Sequence, residues 1–319
     1  MKKYFNKMKR LRSFYSIIGL LFVVVISSIG IKEFMTLSNV ITLFRQASTL
    51  LVLSTGLTAV ILTSGIDLSV GAVSGLVGCI VAQFLKMGVP APLTFIIAIA
   101  FGALFGLFNG FLVGTVKMPP FIATFGMSWV ASGLSIIVMN GEVIFGLADD
   151  FTWFGTGYFG PIPVIAIIAL IVVVIAYLIL QKTTFGRDIY AIGANQDAAK
   201  YSAAPVKKTL YWAFIFSGIT AGIGGLLMTA RLNAADSTMG DSYGLQTVAA
   251  VVVGGTSLLG GEGSVVGTVI GALLLTIVMN VMNLLGISSF AQPAIVGIVI
   301  IAMVLFDSYT RQKHATALK

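Results

Sequence analysis

The residue types that ordinarily carry chemistry are scarce in this chain, and the few present are badly placed for it. There is one histidine, His314, in a polar C-terminal tail, and one cysteine, Cys79, in the middle of an apolar run. A lone thiol can form no intrachain disulfide and no cysteine-based metal site, and a tail histidine cannot activate a nucleophile inside a membrane. "GGTSLLGGEGS" (Gly254 to Ser264) has the glycine density of a phosphate loop but lacks the lysine of G-x-x-x-x-G-K-[ST] that reaches phosphates. It reads as a flexible gate or hinge. Asp67 is the one acid embedded in apolar sequence beside a break. Such a carboxylate needs water, a partner or helix N-terminal amides, and the order Asp67, Leu68, Ser69, Val70 suits capping of the helix that follows. A proton relay would want a second acid or histidine close by in the membrane, and none is evident. The expectation is a protein without catalytic residues, without a metal site and without a cofactor of its own.

What must position these residues is a membrane bundle. Hydrophobic residues make up 58% of the chain and charged ones 9%, a balance that no water-soluble core of this length requires. Hydropathy and turn signals place apolar segments at Phe14 to Ile31, Val40 to Thr63, Val70 to Leu85, Leu93 to Val116, Phe121 to Asn140, Ile162 to Leu180, Leu210 to Ala230, Thr247 to Gly254, Val265 to Leu285 and Pro293 to Phe306. The expected fold is therefore all-α and integral to the membrane, a single transmembrane domain over residues 1–319 with about ten transmembrane helices. The eighth segment is too short to cross alone and predicts a discontinuous or re-entrant helix, a form tolerated only where protein or a water cavity surrounds it.

Lysine and arginine orient the chain, because positive loops stay on the cytoplasmic side. Lys2, Lys3, Lys7, Lys9, Arg10 and Arg12 precede the first segment; Lys182, Arg187, Lys200, Lys207 and Lys208 fall between the sixth and seventh; Arg311, Lys313 and Lys319 follow the last. Residues 1–13, 182–208 and 307–319 are thus expected in the cytoplasm, with both termini inside. The loops carrying Glu142, Asp149 and Asp150, and Asp236 and Asp241, fall outside. A net charge of +8 spread over loops that flank spans is explained by orientation rather than by nucleic acid. The first apolar run is longer than a signal-peptide core and has no Ala-x-Ala site, so it reads as an anchor.

Gly102, Gly106, Gly110 and Gly114 recur every fourth position, a small-residue face that lets a neighbouring helix approach closely. Gly71 and Gly75, Gly218 and Gly222, and Gly267 and Gly271 repeat the spacing. "AVILTSGIDLSVGAVSG" (Ala59 to Gly75) and "AVVVGGTSLLGGEGSVVGTVIG" (Ala250 to Gly271) share an apolar approach, a Gly/Ser/Thr break and a V-G-x-V-x-G exit. Repeated units with interrupted helices mark transporters and point to the translocation path. Two parallel copies or two inverted ones remain open on this reading.

The longest polar stretch, "FGRDIYAIGANQDAAKYSAAPVKK" (Phe185 to Lys208), contains the elements of a short cytoplasmic helix. Asn195 suits its N-cap, Asp197 its positive start, Ala198, Ala199, Ala203 and Ala204 its body, and Pro205 its stop. The small alanines offer a surface that another protein can approach closely.

"GRDIYAIGANQDAAKYSA", "TAVILTSGIDLSVGA" and "ARLNAADSTMGDSYGLQTVAAVVVGGTSLLGGEGSVVGTVIGALLL" together resemble the permease subunit of ribose-type ABC sugar importers, over about residues 35–305. The resemblance implies a bacterial cytoplasmic-membrane protein that pairs with a second permease copy or a paralogue. It also implies an extracytoplasmic sugar-binding protein that feeds it and a cytoplasmic ABC ATPase subunit that binds the ATP. Carried over residue by residue, the ATPase contact falls on Gly186, Arg187, Ala191, Gly193, Asn195, Ala198 and Ala199. The family usually has a glycine and a β-branched residue shortly after the alanines, where this chain has Ala203, Ala204 and Pro205. A loaded binding protein would meet the outer loops, with Lys32, Arg231 and the stretch from Glu142 to Tyr158 as candidates. Polar groups expected along the translocation path are Thr63, Ser64, Asp67, Asn109, Thr256, Ser257 and Asn280. The competing class, an ion-coupled secondary transporter of a small polar solute, needs coupling-ion ligands at mid-membrane and has no use for a cytoplasmic docking helix. The chain itself does not reveal which sugar or polyol passes.

Overall fold

The computed structural model describes residues 2–288, 290–298 and 301, with side chains from residue 16 onward. The elements in order are α1 (Lys2–Gly30), α2 (Leu37–Leu62), α3 (Val70–Lys86), α4 (Ala91–Gly114), α5 (Pro120–Met139), β1 (Ile144–Phe145), α6 (Asp149–Thr156), β2 (Tyr158–Phe159), β3 (Ile162–Pro163), α7 (Val164–Lys182), α8 (Thr184–Ala194), α9 (Gln196–Tyr201), α10 (Val206–Leu232), β4 (Ala234–Ala235), α11 (Tyr243–Val253) and α12 (Val265–Leu284). Among the described residues, α2, α4, α5, α7, α10 and α12 are long and apolar enough to cross a membrane, and Ser16–Gly30 of α1, α3 and α11 are shorter apolar helices. The protein is an all-helical membrane protein with two minimal antiparallel strand pairs, the hairpin β2–β3 and the long-range pair β1–β4. The eighth expected segment begins earlier, at Tyr243, yet α11 is only about 16 Å long at 1.5 Å per residue, half a bilayer core of roughly 30 Å. Half of the tenth segment, residues 299–300 and 302–306, falls outside the described residues, as does His314.

α10 is the hub. Of its most apolar window 78% is buried, against 28–33% for α4, α5 and α7, which turn most of their surface outward. Small residues explain the difference. A Cβ at Gly102 would lie 2.2 Å from the carbonyl oxygen of Gly218, and one at Gly106 would lie 2.3 Å from that of Phe214, so only glycine lets α4 and α10 touch backbone to backbone. The four-residue glycine spacing is therefore a packing face, as its period predicts. α3 is drawn in the same way, with a Cβ at Gly225 placed 2.0 Å from the carbonyl oxygen of Ser74.

The two ends of the bundle are closed differently. At one end β1 pairs antiparallel with β4, Ile144 opposite Ala235, and Asn233 Oδ1 accepts from the amide of Leu147. Asn39 and Asn280 exchange two amide hydrogen bonds of 3.0 and 2.7 Å near the same end. At the other end lie Lys117, Lys182, Lys200, Lys207 and Lys208, together with both chain breaks; we call it the basic end. α2 and α11 arrive there, and α3 and α12 leave. The amide of Gly261 donates to the carbonyl of Leu62 at 3.0 Å, and the Thr58 and Thr268 hydroxyls pair at 2.7 Å. The two repeat copies thus run in the same sense, side by side.

Candidate functional site

α2 stops at Leu62 with Thr63 as C-cap, and the next residue, Ser64, takes φ +67°. A left-handed serine costs energy unless its side chain is used. Here it is: Ser64 Oγ lies 2.7 Å from the carbonyl of Leu259 and 3.2 Å from that of Gly193. One hydroxyl therefore touches the second break and the end of α8. The contact is tight because Gly193 has no side chain. A Cβ there would sit 1.8 Å from the Leu62 carbonyl oxygen and 2.4 Å from the Gly261 amide. Gly261, at φ +69°, leaves only 2.7 Å to the Ala194 amide for a Cβ of its own. α8 is further tied to the second break by Tyr190, whose hydroxyl donates to the Gly263 carbonyl at 3.0 Å while accepting from Gln181 Nε2 at 2.8 Å. Burial pushes the Tyr190 hydroxyl above its ordinary range, against a smaller opposing pull from the Gln181 hydrogen bond, so it stays a donor at neutral pH. The ends of α2 and α8 and the second break form a single junction.

From this junction α8 turns into α9. Thr183 caps α8 by accepting from the Gly186 amide, and Asn195 caps α9 by accepting from the Ala198 amide at 2.9 Å, the capping role its position predicts. The end of α9 differs from expectation. The helix stops at Tyr201, with Ser202 as C-cap, and Pro205 stands instead at the N-cap position of α10. The stop is made by Ala203 in the left-handed region at φ +62°. That conformation suits glycine, which the resemblance puts shortly after the alanines.

α8, α9 and the turn after them enclose a surface groove of about 520 Å³ lined by Arg187, Ala191, Asn195, Ala198, Ala203 and Pro205, among others. The seven residues proposed to meet an ATPase divide here. Arg187, Ala191, Asn195 and Ala198 are exposed, whereas Gly186, Gly193 and Ala199 are buried and shape the groove from behind. A Cβ at Gly186 would lie 2.1 Å from the Leu180 carbonyl oxygen, so that glycine holds α8 against the foot of α7.

Beyond Ser64 the chain runs inward to Asp67, which is 2% exposed. Asp67 does not cap α3: the N-cap is Ser69, and no side chain caps that helix. The carboxylate closes a local turn, accepting from the Ser69 amide (3.0 Å) and hydroxyl (2.6 Å), and its other oxygen accepts from Ser217 of α10 at 2.9 Å. Asn109 of α4 donates to the Ser69 hydroxyl at 2.9 Å, and Thr124 of α5 donates to the Ile66 carbonyl and accepts from the Leu68 amide. A buried carboxylate is tolerated because three donors satisfy it. The first break is thereby fastened to α4, α5 and α10.

The other expected path residues scatter. Thr63 and Ser64 line a cavity of about 1260 Å³ at the basic end, along with Lys117, Asp197, Lys200 and Tyr211. The Thr63 hydroxyl bonds back to the Val60 carbonyl of its own helix. Thr256 and Ser257 are buried in the second break, where Ser257 Oγ accepts from the Leu259 amide. Among the described residues, Thr256 Oγ1 and Asn109 Oδ1 are buried without a partner. Asn280 is at the opposite end, paired with Asn39, and belongs to no common site with Asp67 and Asn109.

Sequence reasoning passed over Arg45. It lies well inside α2, its guanidinium 5.0 Å from the Tyr158 ring centre and bonded to the Thr156 carbonyl. A lone arginine inside an apolar span is itself the signal that would have found it. It clamps the β2–β3 hairpin, and the α6 end beside it, onto α2. Arg231 is half-buried, and its guanidinium donates to the Tyr243 hydroxyl at 3.3 Å.

Comparisons with known proteins identify the family of the chain. A family described as "Branched-chain amino acid transport system / permease component" matches residues 39–306. The ribose import permease protein RbsC of Bacillus subtilis (strain 168) is 42% identical over 300 residues, covering 93% of this chain and 92% of that protein. RbsC of Escherichia coli K12 is 38% identical over 311 residues, 96% and 97% of the two chains. The D-allose transport system permease protein AlsC of Escherichia coli K12 is 34% identical over 286 residues, 89% and 88%. No solved structure gives a significant match.

Proposed function

The chain belongs to the family of branched-chain amino acid transport system permease components, and we propose that it is the membrane-spanning subunit of an ABC importer for a monosaccharide or related polyol. Relatives named for ribose and allose, aligned over about nine-tenths or more of both chains, support the sugar. The chain is a multi-pass protein of the bacterial inner membrane. The basic end is its cytoplasmic face, and ten crossings with both termini inside satisfy the charge distribution. A separate ATPase subunit seats in the α8–α9 groove and binds the ATP. An extracytoplasmic sugar-binding protein delivers the solute to the opposite end, and a second copy or a paralogue completes the pore.

One observation carries the mechanism: the Gly193 backbone touches both Leu62 and Gly261. A ligand shifts a conformational equilibrium only by its differential affinity for the two states, so closure of the motor must prefer one position of α8. Because α8 is bolted to both breaks, that preference reaches α2–α3 and α11–α12 together. Access then alternates by movement of the interrupted helices about the Asp67 network.

The test is co-purification of the tagged chain in mild detergent with its native neighbours. We expect an ATPase to accompany the wild type and to fall at least roughly tenfold with Ala198→Arg, which fills the groove with a long charged side chain. The reading fails if no ATPase accompanies the wild type while the lone chain, reconstituted, takes up solute on an ion gradient.

A further inference from the structure

A second groove lies on the other side of α8. It has a volume of about 510 Å³ and is walled by Ile179 of α7, Phe185 of α8 and Trp212, Ile215, Phe216 and Ile219 of α10. Trp212 is exposed and the others are partly exposed, so one side of the groove is open. From Lys208 to Ile219 the α10 wall rises about 16 Å at 1.5 Å per residue, close to one leaflet of a hydrocarbon core roughly 30 Å thick. An apolar trough of that height, between spans and starting at the basic end, matches an acyl chain rather than a soluble ligand.

The mouth of the groove is more specific than its wall. Lys208 and Asp188 both line it, and among the described residues neither is ion-paired. Among the described residues the trough thus ends in one unpaired cation and one unpaired carboxylate, at the basic end that the charge distribution assigns to the cytoplasmic face. A headgroup carrying only a phosphate would satisfy Lys208 and be repelled by Asp188. One ending in a quaternary ammonium has no N–H to give a carboxylate. A phosphate followed by a primary ammonium satisfies both with charge-assisted hydrogen bonds.

We propose that this groove binds one aminophospholipid of the phosphatidylethanolamine class, its acyl chain along α10, its phosphate on Lys208 and its ammonium on Asp188. Asp188 and Pro205 also line the α8–α9 groove, so the lipid stands behind the same wall that the docking surface presents in front. Lipid occupancy and the position of α8 are then linked: whichever α8 position keeps the groove open is stabilised by the lipid.

Trp212 provides a reporter inside the site. The full chain carrying Trp129→Phe and Trp153→Phe retains Trp212 as its only tryptophan and is placed in phosphatidylcholine nanodiscs. These are doped with acyl-brominated phosphatidylethanolamine, phosphatidylglycerol or phosphatidylcholine, and fluorescence quenching is measured. Brominated phosphatidylethanolamine is expected to quench at about fivefold lower mole fraction than phosphatidylcholine, the factor that one net hydrogen bond from the ammonium to Asp188 supplies. Asp188→Asn should remove that preference and admit phosphatidylglycerol, and Lys208→Gln should weaken quenching by phosphatidylethanolamine and phosphatidylcholine alike, since both carry the phosphate; both changes keep side-chain size. Equal quenching by all three lipids overturns the proposal, as does a preference that neither substitution alters. Absence of quenching by any lipid also overturns it, since another chain then fills the groove.

Discussion

Residues 63–69 and residues 254–264 interrupt two spans at the same end of the bundle, and they are held in opposite ways. The first is short and depends on side chains: Ser64, Asp67, Ser69 and, from other helices, Asn109, Thr124 and Ser217 supply its bonds. The second is longer and depends on backbone. Gly255, Gly260, Gly261 and Gly263 all take positive φ, and its ties to the rest of the molecule run through main-chain atoms of Leu259, Gly261 and Gly263. Side-chain networks fix one geometry, because losing one partner strands the others in a low-dielectric interior. Glycine-rich backbone has several geometries within reach. The first break is therefore built as a fulcrum and the second as a hinge, with α8 seated against both.

The largest effect is expected where the two meet. Gly193→Ala places a Cβ 1.8 Å from the Leu62 carbonyl oxygen, against backbone that cannot step aside as a side chain does. α8 must lift from both breaks. ATP-driven uptake should fall by at least about tenfold while the chain still inserts and the α8–α9 groove still binds an ATPase, since the effect is on transmission of movement rather than docking. Uptake near wild type would mean that the junction transmits nothing.

Next in size is the fulcrum alone. Asp67→Ala leaves the Ser217 and Ser69 hydroxyls facing an empty buried site, at a cost of about 2–3 kcal/mol. Asp67→Asn keeps the shape and an acceptor and should lose less than half of that. Thermal unfolding in detergent measures both. Equal losses for the two would show that the carboxylate's charge, and not its hydrogen-bond geometry, holds the break.

These contrasts also show where the sequence was readable. Glycines at every fourth position announce helix contact, because a packing face is periodic in one segment, and α4 on α10 fulfils it. Asn195 was legible as a cap for the same reason: its partner, Ala198, is three residues away. What could not be read was distance. Asp67 looks like a cap from its neighbours, but its second oxygen is claimed by Ser217, far away in the chain, and Ser64 finds Gly193 and Leu259 across similar gaps. Proline is the visible breaker, so the sequence points to Pro205 as the stop of α9, whereas the backbone already turns at Ala203. A left-handed alanine leaves no mark in a sequence.

The smallest effect tests the hinge by its side-chain tie to α8. Tyr190→Phe removes the hydrogen bond to the Gly263 carbonyl and should cost about 1 kcal/mol, with transport slowed modestly, because the Ser64 hydroxyl and the Gly261–Leu62 main-chain bond still hold the second break. The pH dependence adds a sharper readout. Burial raises the Tyr190 hydroxyl above its usual value of 10.0 in the folded chain, so its contribution is fully present below that pH. As pH rises through 10.0 the unfolded chain releases the proton first, and the contribution is lost progressively until the folded group also ionises. Wild type should therefore lose stability more steeply than the Tyr190→Phe variant above about pH 10 and run parallel to it below. Parallel curves throughout would place the hydroxyl in water, and the second break would then be held by its backbone and Ser64 alone.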